Sequence, residues 1–331
     1  MKRILCIAIL VIFSVSMVFA GGQQEAGSEK QEKIVWKFGH LANDQHMWHQ
    51  TAVKFAELVA EKTNGLIEIK IYPNEQLGKE MELINMIQAG TADITISGES
   101  MANWAPKAAL MAVPFAFNST EHMQSTIESD IGDEIAAQIT EKIGLIPLYY
   151  HVRLPRNLTS NTPMSTPEDV KGLKMRVPNV PLFLDAWKAI GAFPQAMAFS
   201  EVFTALQQGT IGAQENPYDL IYSASFYEVQ NYVNETEHVH SWIYIVIGEK
   251  QYNSLSAELK AQVDEAVAET QVYANELFFS DAPTYKQKLI DAGMNINSNV
   301  DKAAFRAAME PAIKEKLTDE QFDLYKRITS K

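Results

Sequence analysis

The 331-residue sequence contains a single cysteine, Cys6, which lies in an N-terminal apolar segment. Without that segment no thiol remains, so disulfides and a cysteine nucleophile are excluded. The motifs G-x-S-x-G, H-E-x-x-H, Walker A and G-x-G-x-x-G are also missing. The sequence therefore has none of these catalytic motifs, and we expect a protein that is not an enzyme.

Positive charge is scarce as well. The chain has 28 Lys and Arg against 41 Asp and Glu, a net charge of −13. Such an acidic protein is a poor partner for nucleic acid or for anionic membrane surfaces, because both repel it. If the ligand is an anion, local arginines in a closed site must overcome the average negative field.

The long apolar run is confined to the N terminus. Lys2 and Arg3 precede apolar residues 4–19, small residues stand at −3 and −1 of a cleavage site after Ala20, and polar residues follow at once. This pattern is typical of a secretory signal peptide and not of a membrane span. We therefore predict a signal peptide over residues 1–20 and a periplasmic location.

The next segment, 21–32, has no apolar anchor and is predicted to be a flexible leader. Cys6 precedes most of the apolar run, so it is not placed as a lipobox cysteine. We therefore expect a protein that is not lipid-anchored.

The rest of the chain shows α/β patterning. Segments 34–40, 66–73 and 92–97 are typical of strands, and amphipathic helices lie between them. This order implies a parallel sheet covered on both faces. The same order restarts at residue 154.

Three later features complete the architecture. Residues 228–249 are predicted as strands that cross back, and 256–290 as one long helix capped by Ser256. We expect an α/β protein of two lobes, a hinged clam-shell. The first lobe comprises 33–153 plus about 242–281, and the second comprises 154–241 plus about 282–331.

Two arginines on short strands and an amide on a later strand suggest an anion site. Arg156 begins RNLTSN, Arg176 lies in KMRVP, and Asn216 lies in IGAQENP after a helix. A guanidinium offers a planar fork of donors that matches a carboxylate. Taken singly, each arginine is more simply explained as half of a surface ion pair.

The order of the motifs distinguishes these explanations. The chain contains FGH, YPNEQLG, LTSN, TPEDVKGLKMRVP, AFSEVFTALQQG, QENP and FYEVQ across roughly residues 33–320. In this it resembles the DctP-type family, the extracytoplasmic solute receptors of tripartite ATP-independent periplasmic (TRAP) transporters. The resemblance implies two discontinuous lobes with a long helix along both, no catalysis and no ATP.

The resemblance also implies roles for individual residues. Arg176 matches the arginine that pairs with the substrate carboxylate, and Arg156 matches a second arginine that some members bring to the same anion. Asn216 matches the family's amide ligand, and Phe199 matches an aromatic residue that flanks the ligand. The sequence departs from the pattern just before QEN, where Gly-Ala replaces the Asp-Gly of many members.

On the first lobe, His40, Glu80 and Glu99 follow predicted strands or turns, where ligand-facing loops are expected. Each is otherwise explained as a solvent-exposed loop residue. Carboxylate and imidazole groups accept hydrogen bonds from hydroxyls, so they favour a hydroxylated acid. C4-dicarboxylates, uronates and other sugar acids, sialic acid and 2-oxo acids all remain compatible with one bound carboxylate.

Two histidine pairs, His46 with His49 and His238 with His240, have spacings that a metal site can use. Neither pair has an obvious third ligand nearby in sequence, so we expect no metal and no cofactor.

The sequence therefore predicts a periplasmic receptor that captures an organic acid and delivers it to the small and large membrane subunits of a TRAP transporter. We expect a monomer without a nucleic-acid partner. The alternatives are a periplasmic enzyme acting on acidic sugars and a ligand-sensing subunit of a signalling receptor.

Overall fold

The strands of the protein form two separate sheets. The computed structural model describes residues 32–330, so the predicted signal peptide and all but the last residue of the predicted leader lie outside the described residues. The strands within that range are β1 (Ile34–Gly39), β2 (Ile67–Tyr72), β3 (Ile94–Ser97), β4 (Leu145–Val152), β5 (Arg156–Ser160), β6 (Lys174–Val177), β7 (Phe193–Ala196), β8 (Ala213–Asn216), β9 (Tyr232–Val239), β10 (Trp242–Gly248) and β11 (Asn295–Asn297).

Helices cover these sheets and connect the strands. They are α1 (Met47–Lys62), α2 (Glu80–Gln88), α3 (Thr120–Ile127), α4 (Asp130–Ile143), α5 (Pro181–Ala189), α6 (Phe199–Gln207), α7 (Tyr218–Ser223), α8 (Glu249–Asn253), α9 (Ala257–Asp281), α10 (Tyr285–Asp291), α11 (Lys302–Lys316) and α12 (Asp319–Thr329). Within residues 32–330, none of them combines the length and the hydropathy that a membrane span requires.

The first sheet has the strand order β2-β1-β3-β10-β4. Strand β1 pairs in parallel with β2 and β3, as predicted from the alternation of strands and helices. Strand β10 instead pairs antiparallel with β3 and β4, so the sheet is mixed and not wholly parallel. The prediction missed this because β10 joins the sheet from the distant end of the chain, and local patterns carry no information on such pairing.

Helix α1 shows how local sequence forms these crossovers. It begins after His46, whose Nδ1 accepts a hydrogen bond from the Trp48 backbone N–H at 3.1 Å. This satisfies one of the backbone donors that every helix start leaves free. Its face of Ala52, Phe55 and Val59 is completely buried, which stabilises the helix against the sheet.

The second sheet has the order β11-β9-β5-β8-β6-β7. Strand β6 is parallel to β7 and β8, while β5 is antiparallel to both of its neighbours, β8 and β9. This order places β5 and β8 side by side although more than 50 residues separate them. The chain passes from the first sheet to the second after β4 and returns between β9 and β10. We call the first sheet with its helices the first lobe, and the second sheet with its helices the second lobe.

The predicted long helix over 256–290 is wrong in its C-terminal part. Helix α9 starts after Ser256, whose hydroxyl accepts from the Leu259 N–H at 3.2 Å as predicted, but it ends at Asp281. Pro283 lacks a backbone N–H, and its ring would clash with the carbonyl four residues earlier. The chain therefore passes through a short 3₁₀ turn into α10. Helix α9 packs on α1 and β4 of the first lobe, and α10 packs on α7 of the second.

Candidate ligand-binding cleft

A cavity of about 370 Å³ lies between the two lobes. The first lobe contributes residues that follow β2 and β3, and the second contributes residues from β5, β6, β8 and the start of α6. Six of the seven residues predicted from sequence to contact a ligand line this cavity: Glu80, Glu99, Arg156, Arg176, Phe199 and Asn216. The fold thus brings together residues that are up to 136 positions apart.

Arg176 lines this cleft as a cation for which residues 32–330 supply no carboxylate partner. It projects from β6, is only 4% exposed, and donates from Nε to the carbonyl oxygen of Met197 at 2.9 Å. Its guanidinium carbon lies 5.8 Å from the centre of the Phe199 ring, a distance typical of a cation–π contact. No carboxylate within residues 32–330 lies at ion-pair distance from it. Burial lowers the pKa of Arg176 to about 10, so it remains a cation at neutral pH.

Arg156 lines the same cleft but is already paired. Its Nη2 donates to Glu215 Oε1 at 2.6 Å, and its Nε contacts Glu215 Oε2. His238 Nε2 lies 3.0 Å from the same Oε2 atom. Burial alone would raise the pKa of Glu215, but Arg156 and His238 outweigh it and lower this pKa to about 2. The Nη1 atom of Arg156 lies 3.7 Å from Glu99 of the first lobe.

Sequence reasoning did not single out Arg153, which also lines the cleft. It follows β4, is 5% exposed, and donates from Nη1 to Glu99 Oε1 at 3.1 Å. Its guanidinium lies 5.6 Å from the centre of the Trp48 ring, and its Nε is buried without a partner. The signal available in the sequence was a basic residue directly after an apolar strand, three positions before Arg156.

The first-lobe wall is rich in acceptors. Glu80 accepts from the hydroxyls of Ser97 at 2.7 Å and Ser100 at 3.3 Å, and burial raises its pKa. Glu75, which was not predicted, lines the cleft with a buried Oε2 that has no hydrogen-bond partner among the residues the structure describes. Asn74 and Glu75 both have positive φ, 55° and 56°, which is costly for residues with a side chain. The backbone is therefore strained where it presents the Glu75 carboxylate.

His40 does not line the cavity. It is 1% exposed, and its Nε2 faces His49 Nδ1 at 3.1 Å. Burial, followed by the neighbouring His49, lowers the pKa of His40 to about 3, so it is neutral at pH 7. Its backbone carbonyl accepts from the Glu75 N–H at 3.0 Å. The structure thus places His40 beneath the strained turn.

His46, from one of the two histidine pairs noted in the sequence, has a partner that the sequence did not reveal. His46 Nε2 lies 3.1 Å from Asp219 Oδ2, and both side chains are buried. No group of three or more potential metal ligands occurs in the part of the chain that the structure describes.

Asn216 and Phe199 complete the second-lobe wall. Asn216 is buried on β8 and donates from Nδ2 to Gln214 Oε1 at 2.6 Å. Phe199 begins α6 and packs edge-on against Phe226, with ring centres 5.7 Å apart. The ring of Phe199 thus lies beside Arg176, and Asn216 lines the same cavity.

Direct contacts close the mouth of the cleft. Lys79 Nζ pairs with Glu201 Oε1 at 2.6 Å, and Asn103 Nδ2 donates to the Asn179 carbonyl at 2.8 Å. Each bond joins the first lobe to the second. The two lobes therefore stand in a closed arrangement around the cavity.

Two α/β lobes closed over a polar cavity, with a buried cation in its wall, define a solute-binding protein of the kind that holds its ligand between lobes. The chain belongs to the bacterial extracellular solute-binding protein family 7, the DctP family, whose model matches residues 38–319. The resemblance found in the sequence is thereby confirmed. The protein is an extracytoplasmic solute receptor of the TRAP type.

Three relatives illustrate the similarity. This chain is 50% identical to the solute-binding protein RD1_1052 of Roseobacter denitrificans over 289 residues, which cover 87% of this chain and 89% of the relative. The crystal structure of that TRAP protein with bound L-galactonate matches with a TM-score of 0.88 at 48% identity, covering 90% of this chain and 99% of that one. The two-lobed α/β fold is confirmed.

The others are more distant. The 2,3-diketo-L-gulonate-binding periplasmic protein YiaO of Escherichia coli is 35% identical over 279 residues, 82% of this chain and 84% of that protein. A TRAP solute-binding protein of Xanthobacter autotrophicus with bound β-D-galacturonate matches with a TM-score of 0.85 at 26% identity, covering 89% and 99% of the two chains.

Proposed function

We propose that this receptor binds a sugar acid, an aldonate or uronate, with the ligand carboxylate on Arg176. The observation that carries the proposal is the buried Arg176 guanidinium, which, among residues 32–330, has a hydrogen bond to the Met197 carbonyl and no carboxylate partner. A buried cation is costly unless an anion compensates it. A ligand carboxylate supplies that compensation with the bidentate geometry an arginine favours.

The first-lobe wall supports a hydroxylated ligand over a plain dicarboxylate. Glu75, Glu80 and Glu99 place carboxylate oxygens opposite Arg176, and such oxygens accept hydrogen bonds from hydroxyls. The relatives point the same way, since their bound or named ligands are L-galactonate, β-D-galacturonate and 2,3-diketo-L-gulonate. A C4-dicarboxylate would bring a second negative charge to this wall.

A thermal-shift screen tests the proposal. The panel contains aldonates, uronates, C4-dicarboxylates, sialic acid and 2-oxo acids. A ligand at 100 times its dissociation constant adds about 2.7 kcal/mol to the free energy of unfolding, so a sugar acid should raise the melting temperature. Stabilisation by C4-dicarboxylates alone would contradict the proposal.

We assign contact roles to Asn216 and Phe199 at the carboxylate end, and to Arg156 through its Nη1 group. We assign His40 a supporting role, because only its backbone reaches the turn that carries Glu75.

Glu75→Ala should weaken binding of the sugar acid by about tenfold to a hundredfold, because a charged hydrogen bond contributes roughly 1.5–3 kcal/mol. Titration calorimetry measures this effect. The matched control is Glu57→Ala, which removes a carboxylate from helix α1 outside the cleft lining. Equal affinity of Glu75→Ala and the parent would exclude Glu75 from the ligand contacts.

We further propose that the protein performs no turnover and delivers its ligand, as a monomer, to the two membrane subunits of a TRAP transporter. The family consists of receptors, and the missing catalytic motifs agree with this. Recovery of a chemically unchanged sugar acid after prolonged incubation tests the absence of turnover. Co-purification with co-expressed membrane subunits tests the partnership.

The lobe boundaries predicted from sequence lead to an expected motion. The lobes contact each other at the cleft mouth and around a ligand-sized cavity, so ligand release requires them to separate. We expect the open form to dominate without ligand and the closed form with it. Small-angle scattering should show a smaller radius of gyration at saturating sugar acid. An unchanged radius with tight binding would contradict the clam-shell motion.

For the N terminus we propose cleavage after Ala20 and release into the periplasm. Intact-mass analysis of the protein from a periplasmic extract should give a chain that begins near Gly21. A retained Met1 or a diacylglyceryl adduct would contradict this processing.

A further inference from the structure

Three buried arginines, Arg153, Arg156 and Arg176, line the cleft, and they differ in whether a carboxylate neutralises their positive charge. Arg156 is neutralised by Glu215, and Arg153 by Glu99, which approaches it at 3.1 and 3.4 Å. Glu99 also lies 3.7 Å from Arg156. Among the residues that the structure describes, Arg176 alone of the three has no carboxylate at ion-pair distance. These three arginines therefore present a single uncompensated positive charge to the cleft.

The two neutralising carboxylates have different positions. Glu215 is fully buried on β8 behind Arg156 and does not line the cavity. Glu99 follows β3 on the first lobe and lines the cavity. It pairs with Arg153, which follows β4 of the same lobe, and lies 3.7 Å from Arg156 of the second lobe. Glu215 thus belongs to the second-lobe core, whereas Glu99 forms part of the cavity wall.

From this arrangement we infer that Glu99 sets the charge of the ligand, so that the cleft selects singly charged acids against doubly charged ones. The inference rests on the proposed sugar-acid function and goes beyond it. Arg153 is paired with Glu99 and is not available to bind a second ligand carboxylate. Such a carboxylate would meet Glu99 and Glu80 in a closed, poorly solvated cleft. Like charges repel strongly there. A terminal hydroxymethyl group meets no such repulsion and donates to these carboxylates.

A matched pair of acids isolates the charge. L-Galactonate and galactarate share the same six-carbon chain and differ at one end. That end is a hydroxymethyl group in L-galactonate and a second carboxylate in galactarate. In the wild-type protein, calorimetry should give L-galactonate an affinity at least about 100-fold higher, since an unpaired buried charge is strongly disfavoured. A wild-type preference for galactarate overturns the inference without any variant.

The decisive variant is Glu99→Gln, which keeps the shape and frees Arg153. The ratio of the two affinities should fall by roughly tenfold or more, with galactarate binding more tightly than to wild type. Glu99→Gln combined with Arg153→Met removes both charges and should restore the preference for the single charge. Glu134→Gln is the control, because Glu134 also pairs with an arginine, Arg327 at 2.7 Å, but lies outside the cleft lining.

The outcomes separate the two ideas. If no aldonate or uronate binds the wild-type protein, the proposed function is wrong and the inference falls with it. If a sugar acid binds tightly but Glu99→Gln leaves the ratio unchanged, only the inference is wrong. Thermal melting of each variant verifies its fold, and the double variant keeps the test valid if the single substitution destabilises the protein.

Discussion

Arg176→Met is expected to lose sugar-acid binding by about 30- to 5,000-fold. Truncating one partner of a buried, hydrogen-bonded charge pair costs roughly 2–5 kcal/mol, and a methionine leaves the ligand carboxylate buried without compensation. Arg176→Lys should also weaken binding, because lysine keeps the charge but lacks the fork of donors. Titration calorimetry with the acid identified by thermal shift measures both effects.

The same substitution should leave the unliganded fold intact. Arg176 has no carboxylate partner in the described part of the chain, and burial lowers the pKa of its guanidinium, so its charge costs the folded state free energy. Arg176→Met removes that cost, and we expect a chemical-unfolding midpoint equal to or above that of the parent. Arg327→Met is a control, since Arg327 is a partly exposed arginine with two carboxylate partners. Retained affinity in Arg176→Lys would contradict the assignment of the primary carboxylate contact.

Glu215→Ala is expected to destabilise the protein by about 3–5 kcal/mol, because removal of one partner from a buried ion pair leaves the other charge uncompensated. Arg156 is 2% exposed, and Glu215 provides two of its side-chain contacts. The loss should appear in the midpoint of urea unfolding without ligand. Because Glu215 does not line the cleft, we expect this substitution to lower the stability of the protein without removing a ligand contact.

A compensated variant separates the charge from the packing. Glu215→Leu combined with Arg156→Met removes both charges and should recover much of the loss, since apolar replacements of a buried pair are often neutral or stabilising. Glu201→Ala, at a half-exposed pair with Lys79, should cost less than about 1 kcal/mol. A cost for Glu215→Ala as small as that for Glu201→Ala would show that the buried pair does not stabilise the fold.

Local pattern was sufficient for most of the secondary structure. Alternation predicted β2, helical spacing predicted α1, and Ser256 predicted the start of α9, because each signal depends on residues within a few positions of one another. The end of α9 was misjudged although Pro283 stands in the sequence. The apolar spacing continues past that residue, and the missing backbone donor outweighs it.

The candidate site was predictable where it depends on strand ends and motif order. Six of the seven predicted residues line the cleft. Glu99 follows β3 and Asn216 ends β8, as the rule for strand ends expects, whereas Arg156 begins β5 and was predicted from motif order. His40 satisfies the same rule, but its side chain turns toward His49 and only its backbone supports the cleft. No local signal reports the direction of a single side chain.

The sequence by itself determined the α/β class, the family and the presence of arginines suited to an anion. The tertiary structure alone decided which of those arginines remains available. Glu99 meets Arg153 across 54 positions, and Glu215 meets Arg156 across 59. These pairs exist because β8 lies beside β5 in the second sheet and because β10 joins β3 to β4 in the first. Sheet order and lobe closure depend on the whole chain. No single segment of the sequence therefore determines the charge that a ligand meets in the cleft.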